Sequence, residues 1–157
     1  MKNPSKKIEF NLRYSYITER NIATFWARLN LLCDVLIIFL GTAVFASFGI
    51  NTALGALISF LGVFSVVAKP SDKANAAKRQ ASEYSALLAR FDSLSKEDIN
   101  QAIDKIAKDN SYEIGCLKSI AFNRACIVMG VTEPSRFAKY NFLNYVGGIF
   151  IGDLPKR

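Results

Sequence analysis

Asp34 is the residue whose position most clearly calls for a chemical explanation. It is the only charged residue within residues 29–68, a stretch of forty that contains no Lys or Arg. Placing a charged side chain in hydrocarbon costs roughly 2.5–3.5 kcal/mol on insertion scales, so such groups usually face protein or water. Two interpretations remain open: a carboxylate that lines or gates a pore, or an aspartate near a membrane boundary that reaches headgroup water or Arg28.

The rest of the sequence contains no recognisable set of catalytic residues. The sequence contains no His, which excludes catalytic arrangements and metal sites that depend on imidazole. No phosphate-binding or dinucleotide-binding motif occurs, and the adjacent acids Glu97 and Asp98 are typical of a solvated helix face. We therefore predict a protein that is not an enzyme and that needs no metal or cofactor.

The three cysteines are too few and too scattered to form a disulfide framework. Cys33 lies in the apolar stretch, whereas Cys116 and Cys126 lie far downstream. An odd number at these spacings implies no disulfide framework. We expect Cys116 and Cys126 to serve as small buried side chains.

The apolar stretch is long enough for two membrane spans. A helix needs about 20 residues to cross a hydrocarbon core of about 30 Å, and Gly49-Ile50-Asn51-Thr52 favours a turn near the middle. We predict transmembrane helices over about residues 29–48 and 51–68, and the run starts too late and is too long for a cleavable signal peptide. The alternative is a long apolar hairpin inside a soluble bundle.

The charge distribution favours the membrane interpretation. The net charge is +7, and residues 1–28 hold six Lys or Arg against two acids, while residues 69–80 hold four against one. Positive flanks on both sides of an uncharged turn predict that both termini are cytoplasmic. Because residues 81–157 are nearly neutral, with ten bases and nine acids, we predict no nucleic-acid partner.

Residues 1–28 predict an amphipathic helix rich in aromatic and basic side chains. Trp26 and Arg28, with Lys69 on the other flank, are expected to mark the membrane interface. Three placements stay open for this segment. It lies on the inner membrane face, it runs continuously into the first span, or it packs on the soluble part as an ordinary amphipathic helix.

Small residues recur at helical spacing in both predicted spans, and such spacing lets helix backbones approach closely in lipid. The connecting turn is short, so the two helices should pack antiparallel. The small residues then serve a contact within the chain, a contact between subunits, or both. They are Thr42, Ala46 and Gly49 in the first span and Gly55, Ser59 and Gly62 in the second.

The third region, residues 69–157, predicts a cytoplasmic helical bundle. Its first helix, over about residues 72–91 and capped by Ser71, has apolar positions that step by 4, 3, 4 and 3, a heptad pattern. We interpret this seam as an assembly surface formed by Ala77, Ala81, Tyr84, Leu88 and Phe91. Ser95 is expected to cap the next helix, over about 96–108, and another follows over about 112–129.

The C-terminal segment, residues 135–154, is strongly aromatic and apolar. Gly147 and Gly148 are expected to interrupt it. It is too short for a third span. It therefore forms a membrane-surface helix or packs back on residues 1–28.

The order of these features resembles the SLATT family of bacterial and phage two-transmembrane proteins. The resemblance covers about residues 13–91: the aromatic and basic leader, the tight hairpin, the exit at Lys69-Pro70, and an alanine-rich helix with Tyr84 and Leu87-Leu88. Residues 119–130 are similar to the downstream part of such proteins. The resemblance implies a protein of the bacterial inner membrane that oligomerises and disturbs the lipid bilayer in conflict or defence. It also implies a separate activating protein, because this chain shows no sensor domain.

Three functions therefore compete. The first is an oligomerising, pore-forming or membrane-disturbing effector. The second is a membrane-anchored interaction protein, such as a phage exclusion factor. The third is a holin-like lysis protein, for which the region after the hairpin is larger than permeabilisation requires.

Overall fold

The computed structural model describes residues 4–45 and 51–155, and within these ranges all regular structure is helical. The expected all-α class is confirmed. Two short 3-10 turns, Phe91–Ser93 and Pro134–Arg136, lie between the longer elements. The six α-helices are α1 (Pro4–Phe45), α2 (Asn51–Ala68), α3 (Pro70–Ala89), α4 (Lys96–Ala107), α5 (Gly115–Val128) and α6 (Phe142–Ile151).

Helix α1 is one uninterrupted element of 42 residues. At 1.5 Å per residue it is about 63 Å long, twice the thickness of a hydrocarbon core. Its first half buries Leu12, Ile17 and Ile22 against other helices, and its second half is the first apolar span. Residues 1–28 and the span therefore share one helix, which also packs on the bundle.

Helices α2 and α3 return along α1, so the chain folds back as a long helical hairpin. Lys69 separates them in a left-handed conformation with φ 46°, and Pro70 opens α3. The prediction that Ser71 caps this helix is wrong. Proline fits the first helical position because its φ is preset and its missing N–H would have had no partner there.

The bundle forms around the first half of α1. Helix α5 packs beside it through Ile17, Ala121 and Ala125, and the ring of Phe122 meets the edge of Phe10 with centroids 5.5 Å apart. Helix α4 packs against the α1–α3 pair, and its expected cap is confirmed, because the Ser95 hydroxyl accepts a hydrogen bond from the Asp98 N–H at 3.1 Å.

Most of the heptad seam of α3 is filled within a single chain. Ala77 is fully buried beside Ile22 in one core cluster, and Tyr84 is fully buried beside Leu12 in another. Ala81 is buried as well, while Leu88 and Phe91 are partly buried at the edge of the Tyr84 cluster. Most of the seam is therefore occupied by packing within one chain, and a contact of the partly buried Leu88 and Phe91 with a second copy stays a prediction.

Tyr84 offers the sharpest test of this packing, because its ring lies in the core and its hydroxyl donates to Asn110 Oδ1 at 2.9 Å. We expect Tyr84→Ala to lower the free energy of unfolding by about 3–5 kcal/mol through cavity formation. Tyr84→Phe, which loses the hydrogen bond alone, should cost about 1 kcal/mol. Denaturation of the detergent-solubilised protein measures both.

Ser85→Ala is the matched control, because Ser85 is the exposed neighbour on the same helix. It should leave the free energy of unfolding nearly unchanged. Equal stability of Tyr84→Ala and Ser85→Ala would contradict the single-chain seam.

Candidate membrane-facing site

The hairpin formed by the second half of α1 and by α2 exposes apolar side chains around its circumference. Within Ser5–Thr42 and Thr52–Ala89, the most apolar segments both reach a mean hydropathy of 1.8, and 11% and 0% of their residues are buried. A core helix of a soluble protein would be mostly buried. By length and composition both helices are able to cross a membrane. The large exposed side chains include Leu31, Val35, Ile38, Phe39, Phe60, Val63, Val66 and Val67.

Asp34 lies on the exposed surface of this hairpin. Its Oδ2 accepts a hydrogen bond from Asn30 Nδ2 at 2.8 Å, one helical turn away. Arg28 instead donates from Nη1 to the carbonyl oxygen of Phe150 at 2.6 Å. The structure thus pairs Asp34 with Asn30 and engages Arg28 elsewhere, and the carboxylate remains open to a pore, to headgroup water or to another chain.

Two small residues of α2 leave room beside the helix. A Cβ atom built on Gly55 or Gly62 would meet no described atom of another element within 4 Å, although both glycines are partly buried. The exposed hydroxyl of Ser59 donates to the Gly55 carbonyl oxygen at 2.9 Å, and that of Thr42 donates to the Phe39 carbonyl oxygen at 2.7 Å. The part of these small residues in helix packing stays a prediction.

Part of the predicted hairpin lies outside the described residues. Ala46 and Gly49 fall in residues 46–50, as does the start of the expected turn. Their expected part in helix packing stays a prediction.

The expected interface anchors lie at one end of the bundle. Trp26 is half-buried against the cluster that contains Ile22, and the Lys73 ammonium stands 4.4 Å from its ring centroid in a cation–π contact. Lys69 is exposed at the junction of α2 and α3. These basic groups lie near the point along α1 where the bundle ends and the apolar hairpin begins.

Helix α6 is seated on α5 through its two glycines. A Cβ atom on Gly147 would stand 3.1 Å from Cys116 Sγ, and one on Gly148 would stand 3.3 Å from Ile120 Cδ1. Both glycines lie inside the helix, which corrects the expectation that they interrupt it. Their missing side chains allow close contact between the helices.

A polar clamp, made of Arg20, Arg28, Arg124 and Asp153, fastens the end of α6 to the bundle. The Asp153 carboxylate accepts from Arg20 Nη2 at 3.1 Å and from Arg124 Nε at 2.8 Å. Arg28 adds its hydrogen bond to Phe150. Asp153 is the only acid in residues 134–157, and this isolated acid among basic neighbours was the one signal in the sequence that pointed to it.

The opposite face of α6 is apolar and uncovered. Helix α6 packs back on residues 1–28, as one prediction had it, through the Phe25–Phe150 ring contact at 5.3 Å. It nevertheless leaves Phe142 78% and Ile149 71% exposed. We call this surface the α6 apolar face, and its members are Phe142, Leu143, Tyr145, Val146 and Ile149.

Glu19 is a buried carboxyl group that sequence reasoning missed. It is 2% exposed, and its Oε1 accepts a hydrogen bond from the Ser111 backbone N–H at 2.9 Å. Burial raises its pKa, and the hydrogen bond from Ser111 opposes this only in part. Glu19 ties the connection between α4 and α5 to α1, and α5 begins at Gly115 rather than near residue 112.

No metal site is assembled among the residues that the structure describes. There, no three His, Cys, Asp or Glu side chains stand close enough to hold a metal ion. Comparisons with protein-family models, with curated proteins and with solved structures found no match.

Glu19 predicts a pH dependence of stability with a definite sign. A carboxyl whose pKa is raised on folding holds its proton more tightly when folded. Protonated Glu19 therefore makes its full contribution to the free energy of unfolding at low pH. This contribution is lost as pH rises from about 4.3, the usual glutamate pKa, through the raised pKa of the folded protein. We expect Glu19→Gln, which keeps an oxygen acceptor for Ser111, to gain stability relative to the wild type as pH rises towards 7.

Thermal unfolding of both proteins between pH 4 and pH 7 measures this difference. Glu83→Gln is the matched control, because Glu83 is exposed on α3. A stability difference between Glu19→Gln and wild type that stays constant with pH would contradict the buried-carboxyl argument.

Proposed function

We propose that the protein is a multi-pass protein of the bacterial inner membrane, with α2 and the second half of α1 inserted in the bilayer. The exposed apolar hairpin supports this placement, because soluble proteins rarely expose apolar patches of more than a few hundred Å². Both termini and the bundle are cytoplasmic. The basic flanks at Arg28 and Lys69 support this orientation through the positive-inside rule.

We further propose that the protein is a non-enzymatic membrane effector that assembles through its hairpin and disturbs the bilayer. One observation carries this proposal: the Asn30–Asp34 pair lies on the outer surface of an apolar hairpin. In lipid such a pair is costly unless protein or water covers it. A second copy supplies that cover, since polar side chains hydrogen-bond across membrane helices.

The small residues of α2 support the same assembly. A Cβ atom built on Gly55 or Gly62 would meet no described atom within 4 Å, Ser59 is exposed, and small residues are what helix association in lipid uses. Since most of the α3 seam is buried inside one chain, we take the hairpin as the surface through which a homo-oligomer forms. The role in bacterial or phage conflict, and the separate activating protein, rest on the SLATT resemblance.

Orientation is tested with cysteines placed on the two sides of the proposed bilayer. Thr52 is exposed at the start of α2, and Lys108 is exposed after α4. In spheroplasts, a membrane-impermeant thiol reagent should label Thr52→Cys at once and Lys108→Cys only after permeabilisation. The wild-type chain, whose cysteines are buried or partly buried, is the blank. The reverse labelling pattern would overturn the proposed orientation.

Assembly is tested at Asp34. We expect wild-type protein in native-like nanodiscs to form oligomers by single-molecule photobleaching, and its induced expression to depolarise the membrane by a potential-sensitive dye. Asp34→Leu should insert at least as well, since it removes a charge from lipid, yet form smaller assemblies and depolarise less. Asp34→Asn keeps a polar side chain and should fall between the two.

The matched control is Asp104→Asn, which removes an exposed carboxylate from α4 and should change neither measurement. Full assembly and depolarisation by Asp34→Leu at equal abundance would refute the proposed role of the pair. A wild-type protein that inserts but stays monomeric and harmless would favour a membrane-anchored interaction protein.

A further inference from the structure

Helix α6 lies at the end of the bundle that adjoins the hairpin. Near its N-terminus, Asn144 Nδ2 donates to the Cys116 carbonyl oxygen at 2.8 Å, and Cys116 packs on the cluster that contains Ile22. At its C-terminus, Phe150 contacts Phe25 and Arg28. The C-terminal end of α6 therefore lies beside Phe25 and Arg28 of α1, and its N-terminal part packs on the start of α5.

Arg28 lies at the boundary where the apolar hairpin begins. The exposed apolar residues of α1 start at Leu31, one turn beyond Arg28, and α6 is bonded to Arg28 itself. The α6 apolar face and the hairpin surface are thus neighbouring apolar surfaces of one molecule. When a bilayer surrounds the hairpin, its cytoplasmic surface lies next to α6.

The composition of α6 fits the boundary between headgroups and acyl chains. Phe142, Leu143, Val146 and Ile149 project from a helix of ten residues, too short to span a bilayer but long enough to lie in its surface. Tyr145 lies on the same face, and aromatic side chains favour the headgroup level. Exposed Lys139, just before the helix, adds a positive charge suited to anionic lipid.

We propose that α6 is an interfacial helix whose apolar face inserts into the cytoplasmic leaflet beside the hairpin. The inference rests on the proposed insertion of the hairpin and adds a second, separate contact with lipid. The clamp at Asp153 and the hydrogen bond from Arg28 hold α6 firmly to α1. The bundle is thereby held against the membrane at two points and has a fixed tilt.

Lipid and aqueous quenchers separate this proposal from its alternatives. Single cysteines at Leu143 and Ile149 carry an environment-sensitive fluorophore in nanodiscs that contain phosphatidylglycerol and one protein chain each. Lipids with a spin label near the headgroup should quench both labels several-fold more than a label at Gln101, an exposed position on α4. Aqueous iodide should show the opposite order.

These substitutions suit the test because Leu143 and Ile149 are 61% and 71% exposed, so the fold does not depend on them. A thermal melt of each variant verifies this. A label at Val63 on α2 reports whether the hairpin itself is in lipid.

The outcomes are distinct. Quenching of Val63, Leu143 and Ile149 by lipid supports the proposal. Quenching of Val63 by lipid, with Leu143 and Ile149 open to iodide, overturns it and leaves the hairpin proposal intact. Labels on α6 that are protected from both quenchers only in nanodiscs with several chains would show that a second copy covers the α6 apolar face. This result overturns the proposal as well. Absence of lipid quenching at Val63 refutes the insertion on which both proposals rest.

Discussion

The close contact between α1 and α3 is the interaction on which the rest of the structure depends. Ala74, Ala77 and Ala81 are buried on α3, and alanine side chains are small enough to let two helix backbones approach. Tyr84 then fills the wider space near Leu12. Helix α4 packs against this pair, and α5 and α6 pack on α1. Loss of this contact would therefore remove the pair on which α4 packs and would open the cluster in which Ala77 meets α1, α5 and α6.

The continuity of α1 joins the apolar hairpin and the bundle through one helix. Residues 5–40 contain neither Pro nor Gly, the residues at which helices most often kink. No flexible linker separates the two halves on this side of the hairpin. On the other side, Lys69 and Pro70 provide a one-residue break. The bundle can therefore follow the tilt of the hairpin but cannot swing freely from it.

The sequence predicts well which segments are helical and poorly which helices pack against one another. The long apolar run, the heptad steps of α3 and the Ser95 cap are local patterns, and the corresponding helices are present. A heptad pattern states that one face is buried and not what buries it, so Tyr84 and Ala77 pointed equally to a second copy. Contacts such as Arg20 with Asp153, which are 133 residues apart, have no local pattern. Gly147 and Gly148 suggested a break because glycine both weakens a helix and permits close packing, and the sequence alone does not choose between these.

The constraints on assembly follow from the same packing. In water, two chains could join through an apolar seam, but most of the seam of α3 is already filled by α1. In lipid, apolar surface alone gives no drive for association, because acyl chains are as apolar as leucine. Two means of association remain: close contact between helix backbones and hydrogen bonds between polar side chains. The hairpin has residues suited to both, Gly55 and Gly62 for the first and Asn30 with Asp34 for the second. Any assembly that covers Asp34 forms close to Arg28, to which α6 is also bonded. Under the proposed placement of α6 at the membrane surface, this helix limits how closely two copies of the hairpin can approach.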